Sequence, residues 1–340
     1  MRNFINIKHK TMIKKIYFIL TIIIISISFS CKNAMMDLTP GATGNPGEIL
    51  VVLNDNIYYG EIGDSLKAIF HQECPNLPME EYLFNLVQIP QEKFIDLNKR
   101  HRNVIYPIIS RDVSNAAISV SPDKYAKNQM YVKIAAPNQE EFIKLLNENQ
   151  EILIELFKKA DRDRWLFYYN KYQINSIREI IERDHNVSFV IPKSYTLDVN
   201  KDNFAWISFE SRTASIGILV YHYPFRDTNT FTLDYLINKR NEILKENVPG
   251  PREGSYMTTE THFDIPTFKA ITHNETYTAY IRGLWKVEGD FMGGPFVSYT
   301  KADTARNRIV TVEGFVYNPN QEVRNEIRKL ETILYTMEIK

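Results

Sequence analysis

Ile309-Val-Thr-Val-Glu-Gly-Phe-Val-Tyr317, then Asn318-Pro-Asn-Gln321, then Val323, Ile327, Leu330 and Leu334: here a strand hands over directly to a helix. The first segment is rich in β-branched and aromatic residues, which suit a pleated surface. Asn318-Pro319 with Gln321 is a helix-start signature, with Pro at the first helical position. The four aliphatics that follow are spaced as the buried stripe of an amphipathic helix. Upstream, Thr- and Tyr-rich strands including Tyr277–Leu284 run back to a helix over about 230–246, stopped by Pro249-Gly-Pro251. Earlier still come Phe204–Phe209, Ile216–Tyr223 and Val187–Ile191, the last closed by Pro192. Strands grouped between helices argue for α+β with antiparallel sheets, not for a doubly wound parallel sheet.

The first half has the same order. Glu48-Ile-Leu-Val-Val-Leu53 is a short apolar run like a buried strand. Leu66, Ile69 and Phe70 follow at helical spacing, then strands at Tyr82–Ile89, Val104–Ile109, Ala116–Val120 and Met130–Ile134, with a short helix at Phe94 and Leu97. Asn138 and Glu141 stand at capping-box spacing. They open one broken or kinked helix over 138–184; the Trp165–Tyr172 aromatic run in it is a candidate binding patch, which its helical spacing reads instead as a core face. The expectation is two successive antiparallel-sheet units, 48–184 and 185–340, each packed by helices. Their shared order suggests a duplicated arrangement.

The N-terminus carries an address. Arg2, Lys8, Lys10, Lys14 and Lys15 precede an uncharged apolar run from Ile16 to Phe29. A basic n-region before a short apolar h-region is an export signal. At fourteen residues the run is shorter than the about 20 needed to span a bilayer as a helix. It ends in Ser28-Phe-Ser-Cys31, a loose lipobox with Ser28 where Leu is usual. Residues 1–30 read as a signal peptide and Cys31 as the lipidated residue. Residues 31–47, with Thr39-Pro-Gly-Ala-Thr-Gly-Asn-Pro-Gly47, read as a flexible tether. The location implied is lipid-anchored at the outer membrane, on the periplasmic face or the cell surface. The partners implied are the membrane, through the N-terminal lipid, and an envelope protein or glycan.

Without residues 1–30 the chain holds 36 basic and 41 acidic side chains, a net charge of −5. This mildly acidic balance gives no support for nucleic-acid binding, which shows a basic patch or stripe. Cys74 is left without an intramolecular partner and reads as buried and inert. His71 stands three residues before it, but no second His/Cys pair completes a tetrahedral metal site.

Trp165-Leu-Phe-Tyr-Tyr169, Gly283-Leu-Trp-Lys286, Met292-Gly-Gly-Pro-Phe-Val-Ser298 and Arg308 through Pro319, together with the Cys31 anchor, resemble an uncharacterised lipoprotein family of the Bacteroidota (DUF4837-like). The resemblance implies an envelope location and a shared fold, and supplies no catalytic residues. Val187–Phe209 is also similar to the opening of the PsbP-type sandwich, where a short strand and Ile-Pro-Lys precede a Tyr or Trp.

Common catalytic signatures are missing: Gly-x-Ser-x-Gly, phosphate-cradling Gly-rich loops and His-Glu-x-x-His. Two local groups remain. His262, Asp264 and His273, if brought together by a hairpin, are candidates for acid–base or hydrolytic chemistry; against this, they read as polar strand and turn residues. Trp285 with Gly293 and Gly294 is a candidate ligand site, in which Trp stacks a sugar or peptide. Against this, the glycines supply positive φ in a tight loop and Trp285 packs in the core. No cofactor and no metal site is expected. The reading that follows is a non-enzymatic binding or assembly module, with an envelope hydrolase as the alternative.

Overall fold

The apolar run at Glu48 becomes β1 (Glu48–Val52), in a computed structural model that describes residues 39–340. The expected signal peptide, the expected lipidation site at Cys31 and the expected tether up to residue 38 lie outside the described residues. β1 is buried on both faces: Ile49, Val51 and Leu53 enter one apolar cluster, while Leu50 and Val52 enter another with Phe94 and Tyr131. This explains its continuous apolar sequence, because a strand covered on both sides does not alternate.

Around β1 run α1 (Asp55–Tyr58), α2 (Glu61–Phe70), β2 (Asn85–Ile89), α3 (Asp96–Lys99), β3 (Asn103–Ile109), β4 (Ala117–Pro122) and β5 (Met130–Ala136). The sheet order is β2-β1-β3-β5-β4. The α+β class holds, but this sheet corrects the all-antiparallel expectation. β1 pairs in parallel with β2 and β3, β3 pairs in parallel with β5, and only β4 is antiparallel. The cause is connectivity: the segments 53–84 and 90–102 cross over carrying helices, as parallel neighbours require.

The long helical stretch is three helices: α4 (Gln139–Glu148), α5 (Gln150–Lys171) and α6 (Asn175–His185). Asn138 caps α4, its side chain accepting from the Glu141 N–H at 2.9 Å. Asn186 ends α6 in the left-handed conformation at φ 56°. In α5 the apolar face is narrow: Tyr169 is buried while Phe167 and Tyr168 are exposed.

The C-terminal half contains β6 (Val187–Ser188), β7 (Thr196–Lys201), β8 (Phe204–Glu210), β9 (Ser215–Pro224), α7 (Leu233–Asn247), β10 (Tyr256–Thr259), β11 (Thr267–His273), β12 (Thr276–Glu288), β13 (Gly293–Asp303), β14 (Arg308–Tyr317), α8 (Arg324–Leu334) and β15 (Glu338–Ile339). Its sheet runs β10-β12-β13-β14-β9-β8-β7, with β11 also paired to β12. Every pairing in it is antiparallel. α7 covers one face through Leu236, Ile237, Ile243 and Leu244. α6 and α8 cover the other through Ile177, Ile181, Ile327, Leu330 and Ile333. α7 is also pinned from inside: Arg240 makes a two-pronged ion pair with Glu313 of β14, at 2.9 and 2.7 Å.

Two corrections concern ends. The closing helix begins at Arg324, not at Pro319. Its first N–H groups are met by Glu81, far back in the chain, whose carboxylate accepts from Val323 N at 2.7 Å and Arg324 N at 3.0 Å. From the same helix, Arg324 donates to the Tyr82 carbonyl and Arg328 to the Leu83 carbonyl, both at 2.6 Å. The tether expectation is also shortened. Ala42 N–H donates to Lys127 O at 3.0 Å and Thr43 N–H to Arg100 O at 2.8 Å. Gly47, at φ 76°, donates to the buried Asp161 carboxylate at 3.1 Å. A side chain at position 47 would meet the Arg324 guanidinium at 2.7 Å, so the close approach needs glycine as well as the positive φ. Residues 41–340 thus form one compact unit.

Two expectations for stability follow from buried polar groups. Glu81→Ala strips the cap from α8 and leaves buried N–H groups unmet; a loss of about 2–3 kcal/mol should appear as a lower urea midpoint with an unchanged slope. His222 offers a pH test. Its ring lies 5.8 Å from that of His185, and its Nε2 has no partner. Burial, then Arg308 and His185, depress its pKa to about 4, against weaker opposition from Asp202 and Asp303. The unfolded chain therefore takes up this proton first, so stability falls as pH drops from 6.5 towards about 4. Urea midpoints between pH 7.5 and 5 should decline, and His222→Gln should flatten that decline.

Candidate functional site

His262, Asp264 and His273 are not brought together. Asp264 is tied to the first half, accepting from the Asn76 side chain at 2.8 Å. His262 is an exposed residue of the 260–266 loop, its backbone N–H donating to Glu260. His273 ends β11, six residues beyond Thr267, which places it about 20 Å from the strand's start at the rise of an extended chain. It is only 3 % exposed. Its Nε2 donates to the Tyr335 carbonyl at 2.7 Å, which leaves Nδ1 to accept from Lys301 Nζ at 2.9 Å. The three candidates therefore form no constellation.

Trp285 is 2 % exposed, and its indole N–H donates to the Val316 carbonyl at 3.1 Å. Gly293 and Gly294 open β13 with ordinary negative or extended φ, so the expected positive-φ loop is corrected. At Gly294 a Cβ would lie 2.1 Å from the Val316 carbonyl oxygen. The glycine is there because the neighbouring strand's backbone comes so close. Among the described residues, no cluster of three or more His, Cys, Asp or Glu side chains is placed to hold a metal ion.

A different site emerges where α5 of the first half meets α8 and the β11–β13 surface of the second. A cleft of about 340 Å³ opens there, within the size range of small-molecule sites. Trp165 and Arg162 project from α5, Lys269 and Ile271 from β11, Tyr280 from β12, Tyr299 from β13, and Arg328, Glu331 and Tyr335 from α8 and the turn after it. The placement follows from period. Arg162 and Trp165 are three apart on a helix and share a face. Lys269 and Ile271 are two apart on a strand and share a side.

The floor is a half-buried charge network. Glu331 accepts from the Tyr280 hydroxyl at 2.5 Å and lies 3.6 Å from Arg282. Burial works to raise the Glu331 pKa, yet Arg282, the Tyr280 hydroxyl and Lys158 together hold it below the usual carboxylate value. Burial pushes the Tyr280 phenol well above 10, so it remains a donor. Arg282 Nη2 also reaches the buried Cys74 Sγ at 3.8 Å.

The walls carry further cations. Lys158 pairs with Glu155 at 2.9 Å, and Arg282 pairs with Glu331. Arg162 instead lies over the Tyr335 ring, 4.2 Å from its centroid. Arg164, two residues on, pairs instead with Asp161 at 2.6 Å. Arg328 is 6 % exposed, and burial lowers its pKa. Its Nη2 is used on Leu83, but its buried Nη1 has no hydrogen-bond partner. Among the described residues Arg162, Lys269 and Arg328 stand outside any ion pair.

A larger groove, about 1100 Å³, runs beside the 303–306 turn and the final residues. Its charges are satisfied internally: Asp303 by Arg306 and Arg308, Lys340 by Glu338, and the Lys301 amine by His273. The seam cleft is therefore the better candidate. Sequence reading touched it only through Trp165, in the aromatic run weighed as a binding patch, because the other residues are scattered from 155 to 335.

Residues 174–336 match the family model described as Domain of unknown function (DUF4837). Residues 42–169 match a second, Domain of unknown function (DUF8532). No functionally curated protein matches the sequence. Among solved structures, a point mutant of the protein Mog1 is similar at 12 % identity and TM-score 0.29, over 45 % of this chain and 90 % of that one. The Saccharomyces cerevisiae Ran-binding protein Mog1p is similar at 11 % identity and TM-score 0.30, with the same coverage. A Bacteroides thetaiotaomicron protein is similar at 10 % and TM-score 0.26, over 46 % of this chain and 45 % of that one. Likenesses this distant carry no functional argument.

Glu331→Gln tests the floor of the cleft. It leaves Arg282 without its carboxylate, and the loss of a charge-assisted contact in a largely buried setting is worth about 1–3 kcal/mol. Thermal unfolding should shift down, whereas Lys269→Met, on an exposed wall residue, should leave it unchanged.

Proposed function

For a chain that is DUF4837-like over residues 174–336, we propose a non-enzymatic binding module of the cell envelope. It is anchored by a lipidated Cys31 and takes its ligand in the seam cleft. The anchor rests on the basic start, the short apolar run and the cysteine at its end. An outer-membrane position facing the periplasm or the cell surface, with an envelope protein or glycan as the source of the ligand, is part of the same proposal.

The observation that carries the binding reading is the composition of the cleft. Both halves of the chain contribute walls, and aromatic rings lie beside charged groups. Clefts between substructures are common places for ligands.

Two measurements test the reading in cells that express the full chain. Cys31→Ser should move the protein from the membrane to the soluble fraction. A photo-crosslinking side chain at position 269 should yield an adduct absent when the same group is placed at the exposed Tyr59. Equal labelling from both positions would sink the cleft as the binding site.

A further inference from the structure

We infer that one face of the N-terminal sheet rests on an anionic phospholipid bilayer: the face that carries Lys99, Lys124 and Lys133, with Ile95 and Leu97 projecting beside them. The inference rests on the lipid anchor proposed at Cys31 and adds to it the side of the folded body that meets the membrane.

The chain enters the folded body at the edge of this face. Ala42 N–H donates to the Lys127 carbonyl and Thr43 N–H to the Arg100 carbonyl, so residues 42 and 43 are held between two basic segments. Position 41 stands ten residues after Cys31, and a chain of that length reaches at most about 35 Å. A lipid on Cys31 therefore keeps this edge close to the bilayer. Strand period assigns the face. Tyr131 and Lys133 are two apart on β5 and share a side, the side on which Leu50, Val52 and Val104 pack with Phe94 and Tyr125. The opposite side is covered by α2, α4 and α5. Two lysines meet at one ring: Lys99 Nζ lies 5.8 Å and Lys124 Nζ 5.2 Å from the Tyr125 centroid. Lys124 also lies 3.9 Å from that of Tyr131. Among the described residues, none of Lys99, Lys124 and Lys133 forms an ion pair. Segments 91–101 and 122–128 hold five basic and three acidic side chains, against the net −5 of residues 31–340. One of those acids, Asp123, is turned onto the Asn128 backbone N–H. Ile95 and Leu97, at the start of α3, are each more than half exposed. Apolar side chains flanked by lysines suit the headgroup boundary, where the aliphatic groups enter and the lysine stems reach the phosphates. Phe263 and Phe291 are more exposed still, but they stand next to Asp264 and Asp290, whose charge an anionic surface repels.

The experiment uses the full chain, purified from membranes and reconstituted into vesicles. Leu97→Cys, Tyr59→Cys and Phe291→Cys, made singly, each carry a thiol-linked fluorophore; Cys74 is buried, and the lipid occupies Cys31. Tyr59 serves as the comparison because it follows α1, past the far end of β1. Quenching by a lipid with a nitroxide headgroup is measured in phosphatidylcholine vesicles with and without phosphatidylglycerol. The label at position 97 should be quenched several-fold more than at 59 or 291 when phosphatidylglycerol is present. The difference should fade in pure phosphatidylcholine and at high salt. Lys99→Gln, Lys124→Gln and Lys133→Gln should each lower the ratio of docked to undocked molecules about fivefold, the worth of one lysine near an anionic surface. Equal quenching at 97 and 59 overturns the inference, as does stronger quenching at 291. So does quenching at 97 that ignores both phosphatidylglycerol and the lysine variants. Self-quenching between labels at 97 without lipid quenching gives the face to a second copy and also overturns it. Mass spectrometry separates this failure from that of the anchor. If Cys31 carries lipid but position 97 is not quenched, the docking face alone fails; if Cys31 carries none, the anchor reading fails and the face with it.

Discussion

The carboxylate of Glu81 on the first turn of the closing helix is the contact on which the rest of the molecule hangs. A helix start exposes unpaired N–H groups, and here a residue more than two hundred positions earlier supplies the acceptor. Arg324 and Arg328 reciprocate by donating to the Tyr82 and Leu83 carbonyls. One helix thereby completes the core of the antiparallel sheet on its apolar side and clamps the parallel half on its polar side. A second seam contact, Asn76 with Asp264 and Thr267, extends the same junction.

The clamp also makes the cleft. With α8 held against the 81–84 segment, its next exposed turn faces α5 across a gap, and Arg328, Glu331 and Tyr335 become one wall of that gap. The Arg328 guanidinium that fastens the two halves through the Leu83 carbonyl also forms part of that wall. The aromatic rings of the cleft are supported from behind: Tyr280 and Tyr299 pack edge to face, with centroids 5.7 Å apart.

Much of the fold was legible from local pattern. The Asn138 cap, the aliphatic stripe of the closing helix, the antiparallel strands between Val187 and Tyr317 and the burial of Cys74 all follow from periodicity and residue type. What escaped had non-local causes. Parallel pairing of β1 depends on what covers both its faces. The start of α8 depends on Glu81 rather than on Asn318 or Pro319. Gly293 and Gly294 carry the same letters whether they turn a loop or admit a neighbouring carbonyl. His262, Asp264 and His273 are close in sequence, but β11 is extended, and six residues of strand separate what a tighter hairpin would have joined.

The sequence by itself determined the mixed α+β class and the helices and strands that local spacing encodes, because each is a property of neighbouring residues. The tertiary structure alone decided which cations go unanswered. Arg162 and Lys269 look like ordinary surface charges in the sequence, where nothing distinguishes them from Arg164 or Lys158. Only folding shows that Arg164 and Lys158 find carboxylates while these two line a cleft without them, since ion pairing depends on distance in space and not along the chain.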